Sequence, residues 1–369
     1  MGTIGLDATY TVDPQPSGVA VYSRRLIESL ATLDTPHRFA VCYRWSRLPR
    51  RRAFLRPKPA MGARGPIVSV KLFQEPFTFW LPWQIELFHS LAQRPPAFHF
   101  KKEVVTIHDI FPITGREYSS PDFLRKFSAL LKEAAARAVR IITPSSYTAE
   151  QLTLHVGVPK ERIRVIPEGV DLPARDLPPE ERAQRRESLV GQGYELVLSV
   201  GVLQTRKNTL NALRALELLP ERYRMVLVGG EGYGSEAIHE FLRRTALGAR
   251  VRRLGHVPST ELSALYQAAS VLLFPSFEEG FGLPVLEAMA NRLTVAAART
   301  SSLPEVGGDA ALYVDPRDPH DIAEKVRQAV EDLPLREKLI RRGFARAREF
   351  SWRRTAEATL QVYEEVLAM

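Results

Sequence analysis

The sequence predicts an α/β chain of two doubly wound domains, each a parallel sheet with crossover helices. Three observations carry this expectation. Short apolar runs alternate with amphipathic stretches from end to end, the pattern of strands joined by crossover helices. The alternation breaks once, over the Pro- and Arg-rich residues 173–193 (PARDLPPEERAQRRESLVGQG), and then restarts. The length of 369 residues exceeds the size at which a single hydrophobic core stops growing.

Residues 3–8 (TIGLDA) read as the opening strand, and 19–33 as a helix with Leu26, Ile27 and Leu30 on one face. Strands are expected at 39–43, 67–70, 85–89, 104–107 and 140–143, with helices over 121–139 and 147–156. A strand at 163–166 and the turn Pro167-Glu168-Gly169-Val170-Asp171 end the first half. The connection 173–193 holds a short helix, and 196–202 is a buried type of strand. Asn208 suits the N-cap of a helix carrying Leu210, Leu213 and Leu216. Strands at 225–228 and 251–257 follow. Ser259 is expected to cap the next helix, with Glu261 in its first turn and Leu262, Leu265, Tyr266 and Ala269 on one face. Strands at 269–274, 294–298 and 311–314 complete the second sheet, and three helical stretches end the chain, the last over 352–367. The boundaries expected are a first domain of 1–171 joined by the last helix, 352–369, and a second domain of 172–351.

Composition bounds the function. With 45% hydrophobic and 25% charged residues there is material for two ordinary cores. The single Cys42 excludes an intrachain disulfide and a Cys-based metal cluster, which suits a reducing compartment. The start lacks a cationic stretch leading into an apolar core, Asp7 and Asp13 interrupt it, and no run approaches the ~18 apolar residues of a membrane span. The expectation is a soluble, cytoplasmic chain. Its net charge of +9 is uneven: residues 1–170 hold 24 Lys and Arg against 14 Asp and Glu, and the remainder is near balance. The surplus is densest at Arg47, Arg50, Arg51, Arg52, Arg56, Lys58 and Arg64. This reads equally as a surface for an anionic partner, a membrane included, or as a solvated basic loop. The aromatic stretch 72–88 (LFQEPFTFWLPWQIELF) reads as a core strand and loop with buried aromatics, ahead of a membrane-facing surface. No single-strand platform motif accompanies it, and no nucleic-acid partner is expected.

The chemistry concentrates in residues 274–290 (FPSFEEGFGLPVLEAMA). A strand ends at Phe274, and Gly280-Phe281-Gly282-Leu283 leads into a helix whose first turn accepts Pro284. A glycine turn feeding a helix N-terminus favours an anion through its N–H groups and the helix dipole. Glu279 lies before that turn and Glu287 on the helix after it. Arg206 and Lys207 follow the first strand of the second sheet, where two cations could neutralise a diphosphate. Gly18 opens a helix after a Pro-rich turn, and reads equally as a phosphate contact or a flexible loop. His108 follows a strand, with Asp109 expected to cap or position it.

The run Glu279-Gly280-Phe281-Gly282-Leu283-Pro284-Val285-Leu286-Glu287-Ala288-Met289-Ala290 resembles the signature of the family-4 retaining glycosyltransferases. Ser17-Gly18, His108-Asp109, Pro144-Ser145-Ser146, residues 167–171, Gly201 with Arg206-Lys207-Asn208, residues 302–306 and Phe350-Ser351-Trp352 resemble it in the same order. The likeness implies the GT-B fold: two Rossmann-like parallel-sheet domains facing a cleft, with the C-terminal helix crossing back to the first. It implies His108, Arg206, Lys207 and Glu279 as catalytic, Arg206 and Lys207 on the donor's diphosphate, Glu279 on the donor sugar and His108 on the opposite wall. Gly18, Gly201, Gly280, Phe281, Gly282, Leu283 and Glu287 would bind the donor, with Glu287 on the ribose and Val257 near the base.

The implied reaction is transfer of a sugar from a nucleoside-diphosphate sugar to an acceptor hydroxyl with retention and without a metal or other cofactor. No Asp-x-Asp pair is present. His108-Asp109-Ile110-Phe111-Pro112 resembles the mannosyltransferase-like members that build bacterial surface polysaccharides. A saccharide or lipid-linked acceptor is expected, with peripheral membrane contact through the basic half. The alternatives are a phosphorylase or nucleotide-sugar epimerase of the same fold, or a non-catalytic nucleotide-sugar or membrane-binding protein. The chain departs from the pattern at Asn291-Arg292-Leu293-Thr294, where relatives carry Gly and then Pro.

Overall fold

The computed structural model describes residues 2–55, 57, 68–74 and 77–369. In order, the first half forms β1 (Thr3–Asp7), α1 (Gly18–Leu30), β2 (Arg38–Arg44), β3 (Val68–Phe73), α2 (Leu81–Gln84), β4 (Leu87–Ser90), β5 (Lys102–Thr106), α3 (Phe111–Thr114), α4 (Pro121–Arg137), β6 (Arg140–Thr143), α5 (Ser146–Val156) and β7 (Ile163–Val165). The second half forms α6 (Pro179–Val190), β8 (Glu195–Val200), α7 (Thr209–Leu218), β9 (Tyr223–Val228), α8 (Ser235–Arg244), β10 (Val251–Gly255), α9 (Ser259–Ala268), β11 (Val271–Phe274), α10 (Leu283–Ala290), β12 (Val295–Ala298), α11 (Leu303–Gly307) and β13 (Leu312–Val314). Then come α12 (Pro319–Glu331), α13 (Leu333–Ala347) and α14 (Trp352–Ala368). Residue Ile67, Arg56, Lys58 and Arg64 lie outside the described residues.

The chain divides into two compact units. One comprises Met1–Thr114, Pro121–Gly169 and Phe350–Met369; the other Gly115–Ser120 and Val170–Glu349. Each holds one wholly parallel sheet. Their strand orders are β3-β2-β1-β4-β5-β6-β7 and β10-β9-β8-β11-β12-β13. Parallel strands buried on both faces need continuous apolar runs, and β11 and β12 are buried at every residue.

In the first unit, α14 packs along α1 and returns the end of the chain to the sheet. Its Tyr363 hydroxyl lies 2.6 Å from His89 Nδ1, His89 Nε2 lies 2.8 Å from Thr106 Oγ1, and that oxygen meets the Tyr22 hydroxyl of α1 at 3.0 Å. Burial, helped by the charge of nearby His108, lowers the His89 imidazole to about 3, so it is neutral and one ring nitrogen donates while the other accepts. Glu365 of α14 takes Arg140 at 2.7 Å and Arg164 at 2.6 Å.

Three local expectations are corrected. Asn208 does precede α7, but at φ 57° its amide does not cap the helix; its Nδ2 donates to the carbonyls of Pro275 at 2.9 Å and Pro316 at 2.6 Å. Ser259 is the first residue of α9 rather than its cap, a place taken by Pro258. The aromatics of 72–88 are not all core: Phe73 and Phe88 are buried, but Phe77, Phe79, Trp80 and Trp83 face solvent.

Candidate active site

A parallel sheet opens a crevice where its strand order reverses, because the loops leaving the two central strands diverge. In the second unit that reversal lies between β8 and β11. The loop after β8 carries Arg206 and Lys207, and the loop after β11 carries Glu279. The three meet there. Arg206 Nη1 lies 2.9 Å from Glu279 Oε2, and Lys207 Nζ lies 2.6 Å from Oε1, so each carboxylate oxygen holds one cation. Arg206 and Glu279 are only 7% and 6% exposed, which makes water a poor competitor for these contacts. Burial alone would raise the Glu279 carboxyl. Arg206, Lys207 and the hydrogen bond from Lys207 outweigh it and lower the group to about 2. The carboxylate is therefore ionised at neutral pH, and the formal charges of the trio sum to one positive.

Each loop is pinned from several sides. The Arg206 carbonyl accepts from Phe277 N at 2.9 Å, tying the β8 loop to the β11 loop. Glu279 N donates to Ser301 Oγ at 2.9 Å, and the single Ser302 hydroxyl proton lies between the carbonyls of Glu279 and Phe281, with Oγ 2.8 and 2.9 Å from them. Ser301 holds φ 52°, a conformation unfavourable for a residue with a Cβ, which the surrounding bonds maintain. Gly282 sits at the head of α10 with φ 109°, and a Cβ there would lie 2.7 Å from Leu303 Cδ2. Phe281 is buried and Leu283 half-buried beside this turn.

A third loop belongs to the site and was not anticipated: Gly229-Gly230-Glu231-Gly232-Tyr233-Gly234, between β9 and α8. It runs alongside the β8 loop, with Leu203 N donating to the Gly230 carbonyl at 2.8 Å and Gly232 N to the Leu203 carbonyl at 2.9 Å. A Cβ on Gly229 would stand 2.0 Å from the Gly201 carbonyl oxygen, so the two loops approach as bare backbone. The four glycines within six residues were the available signal.

Glu287 lies on α10 and accepts from the Tyr266 hydroxyl of α9 at 2.8 Å. Val257 follows the end of β10 and is half-exposed. The departure at Asn291-Thr294 has a local solution. Asn291 Oδ1 accepts from Ser263 Oγ at 2.7 Å, while Arg292 takes φ 58° and lays its guanidinium 3.8 Å from the Phe344 ring centroid.

In the first unit, His108 follows β5 and uses both ring nitrogens. Nε2 lies 3.0 Å from the Leu91 carbonyl oxygen and Nδ1 lies 3.0 Å from Glu168 Oε1. A carbonyl and a carboxylate facing the two ring nitrogens favour the doubly protonated form. Burial opposes that charge, but the Glu168 hydrogen bond and charge prevail and raise the imidazole above its ordinary value. Glu168 is thus a partner that orients His108, and Asp109 adds a nearby negative charge. In the sequence Glu168 reads as a turn residue, and its partner is 60 residues away. Gly18 is the exposed first residue of α1, where the Ser17 side chain accepts from Ala20 N at 3.4 Å. Among the described residues no group of three His, Cys, Asp or Glu side chains is placed to hold a metal ion, and no helix is long and apolar enough to cross a membrane.

Two family models match this chain: glycosyltransferase family 4 over residues 16–173, and glycosyl transferases group 1 over residues 180–346. An O-antigen chain mannosyltransferase B of Escherichia coli is 33% identical over 299 residues, which are 76% of each chain. A D-inositol 3-phosphate glycosyltransferase of Acidothermus cellulolyticus is 32% identical, over 79% of this chain and 66% of its own length. Among solved structures, HepE of Anabaena in complex with UDP and glucose superposes with a TM-score of 0.75 at 18% identity, over 99% of this chain and 100% of that one. WaaG, a glycosyltransferase involved in lipopolysaccharide biosynthesis, gives 0.72 at 16% identity, over 97% and 99%.

Proposed function

The chain belongs to glycosyltransferase family 4, the group 1 glycosyl transferases, and from that premise we propose a retaining, metal-independent transfer of a sugar from a nucleoside-diphosphate sugar to an acceptor hydroxyl. It is a glycosyltransferase of GT-B fold. The observation that supports the finer reading is the buried Arg206–Glu279–Lys207 cluster at the reversal of the second sheet.

A cluster with one positive charge in excess, poorly screened by water, attracts a diphosphate. On donor binding, the diphosphate oxygens take Arg206 and Lys207 as partners, and Glu279, released from them, turns to the donor sugar's hydroxyls. The bond from the anomeric carbon to the diphosphate oxygen breaks as the bond to the acceptor oxygen forms on the same face. The acceptor's proton passes to the departing phosphate. Arg206 and Lys207 stabilise the charge that develops on that phosphate, the role a metal ion fills elsewhere. Glu287 bonds the ribose and Val257 borders the base, while Gly201 and the turn Gly280-Phe281-Gly282-Leu283 line the phosphates. Gly18 approaches the donor from α1. His108, with both nitrogens engaged, contributes a positive ring and no proton transfer.

We expect a saccharide or lipid-linked acceptor, met at the cytoplasmic face of the membrane in bacterial polysaccharide or glycolipid synthesis, with mannose the first sugar to try.

A thermal-shift screen of the purified chain against UDP-, GDP-, ADP- and dTDP-sugars, with and without magnesium, tests this. One nucleotide should raise the melting temperature equally in chelator and in magnesium, since a ligand that binds only the native state stabilises it. A shift that requires magnesium would overturn the metal-independent clamp, and no shift with any donor would overturn the donor class.

A further inference from the structure

The outer corner of the first sheet carries a surface that the transfer reaction does not use. β3 is an edge strand paired in register with β2, Arg44 opposite Phe73. Both strands therefore release their following segments at the same end of the sheet, one strand spacing of about 4.8 Å apart. Gln74 and Thr78 fasten to each other after β3, Gln74 N donating to Thr78 Oγ1 at 3.0 Å and Thr78 N to the Gln74 carbonyl at 3.0 Å. The chain continues into α2, whose Leu81 is buried with Ile85, Phe73 and Phe88 against the sheet. That anchorage leaves Phe77, Phe79, Trp80 and Trp83 outside, with Phe77 69% and Trp83 81% exposed. Phe79 packs edge-on against Trp80 and Trp83, with ring centroids 5.4 and 6.1 Å apart, so the rings stand as one projecting cluster.

The segment after β2 supplies charge. Trp45–Ala53 is a 3-10 turn with Trp45 half-exposed and Arg50, Arg51 and Arg52 at its end. Phe54 stacks on Tyr43, which points to the face opposite Cys42 and α2, so the basic turn and the aromatic cluster bracket the sheet corner from its two faces. On the aromatic side Lys71 Nζ donates to Gln84 Oε1 at 3.1 Å. Across residues 38–84 the sequence holds ten Lys and Arg and a single acid, Glu75; of the described cations, Arg47 and Arg50 pair with Asp13 at 3.3 and 3.2 Å, while Arg51 and Arg52 are exposed.

We propose that this corner docks on an anionic phospholipid bilayer, with Phe77, Phe79, Trp80 and Trp83 entering the headgroup zone and Arg51 and Arg52 bound to lipid phosphates. Aromatic rings and cations together suit that boundary, where one end of a side chain is apolar and the other wet. A second copy of the chain is a poor occupant, since the like charges of two such corners repel. A single-stranded nucleic acid needs open ring faces for stacking, and rings that pack edge-on against one another offer few. This inference extends the membrane-side acceptor proposed above and rests on that reading for its purpose, though its test does not.

The test is flotation of the full chain with vesicles of pure phosphatidylcholine and of phosphatidylcholine with about 30% phosphatidylglycerol, together with tryptophan emission. Three of the four tryptophans lie in the corner and the fourth, Trp352, is buried, so the emission reports the corner. Binding to the anionic vesicles alone is expected, with a blue shift and weakening in high salt. Trp80→Ala/Trp83→Ala should lose at least tenfold in vesicle affinity and most of the shift. Undiminished binding by that variant, or no binding by the unaltered chain, overturns the proposal. So does a blue shift with single-stranded RNA and none with vesicles. The nucleoside-diphosphate thermal shift should persist in the variant. Vesicle binding by a chain that ignores every donor would sink the proposed transfer and leave the surface standing.

Discussion

Each unit buries a glutamate at the carboxyl edge of its sheet, yet the two carboxylates are occupied differently. Glu279 divides itself between two cations, one on each oxygen, and the cluster keeps a positive charge. Glu168 bonds one histidine, whose other nitrogen is already spent on the Leu91 carbonyl. The first arrangement can exchange partners, because an incoming anion may replace the glutamate on either cation. In the second both imidazole nitrogens are already spent: opening it strands a buried charge or a carbonyl, which is costly. Exchangeable charge belongs to a binding centre, and saturated charge to a positioned scaffold.

The largest effect should come from Arg206→Ala. Transfer should fall about 10²–10³-fold, as when one donor to a developing oxyanion is removed, while the circular dichroism spectrum stays that of the folded chain. A variant that still turns over normally would move the clamp elsewhere.

Glu279→Gln separates exchange from recruitment. If the carboxylate competes with the diphosphate for Arg206 and Lys207, nucleoside-diphosphate binding should tighten about tenfold, or about 1.4 kcal/mol, even as transfer is lost. Weaker binding by calorimetry would mean the carboxylate assembles the cations and does not compete.

Acid should act on the same group. Glu279 is held at about 2 when folded, against an ordinary 4.5. Its contribution to stability is complete above the ordinary value and is lost as pH falls from there toward 2, at about 1.4 kcal/mol per pH unit at most. The acid limb of the wild type's melting curve should flatten in Glu279→Gln; identical limbs would assign acid unfolding to other groups.

The smallest effect concerns His108. Its folded value is raised, so the pair's stabilisation is complete below the ordinary histidine value and fades as pH rises through the folded one. Nuclear magnetic resonance titration of Glu168→Gln should show the imidazole value dropping, because burial then acts with less opposition. An unchanged titration would show that Asp109, and not Glu168, sustains the charge.

Much of this was legible in the residues. Except for β3, which runs three residues beyond its expected end to Phe73, the alternation of apolar runs located the strands to within a residue or two, because parallel strands buried on both faces admit little else. Arg206, Lys207 and Glu279 were visible because each follows a strand that ends at the crevice. What was hidden depends on distant partners or on backbone shape. Glu168 looks like any turn residue until β7 brings it beside His108. Asn208 reads as a helix cap, since nothing local announces that its amide is taken by Pro275 and Pro316. Trp80 and Trp83 read as core by their chemistry, and only the seating of Leu81 and Ile85 beneath them turns those rings outward.

The return of α14 to the first sheet sets an order of assembly. A ribosome that has delivered residue 349 has supplied all of the second unit, while Tyr22, His89 and Arg140 still wait for Trp352, Tyr363 and Glu365. The half synthesised first is thus the half completed last. Until the final helix arrives, α1 lacks its cover, and the nascent first unit exposes apolar surface for the length of time needed to make the whole of its neighbour.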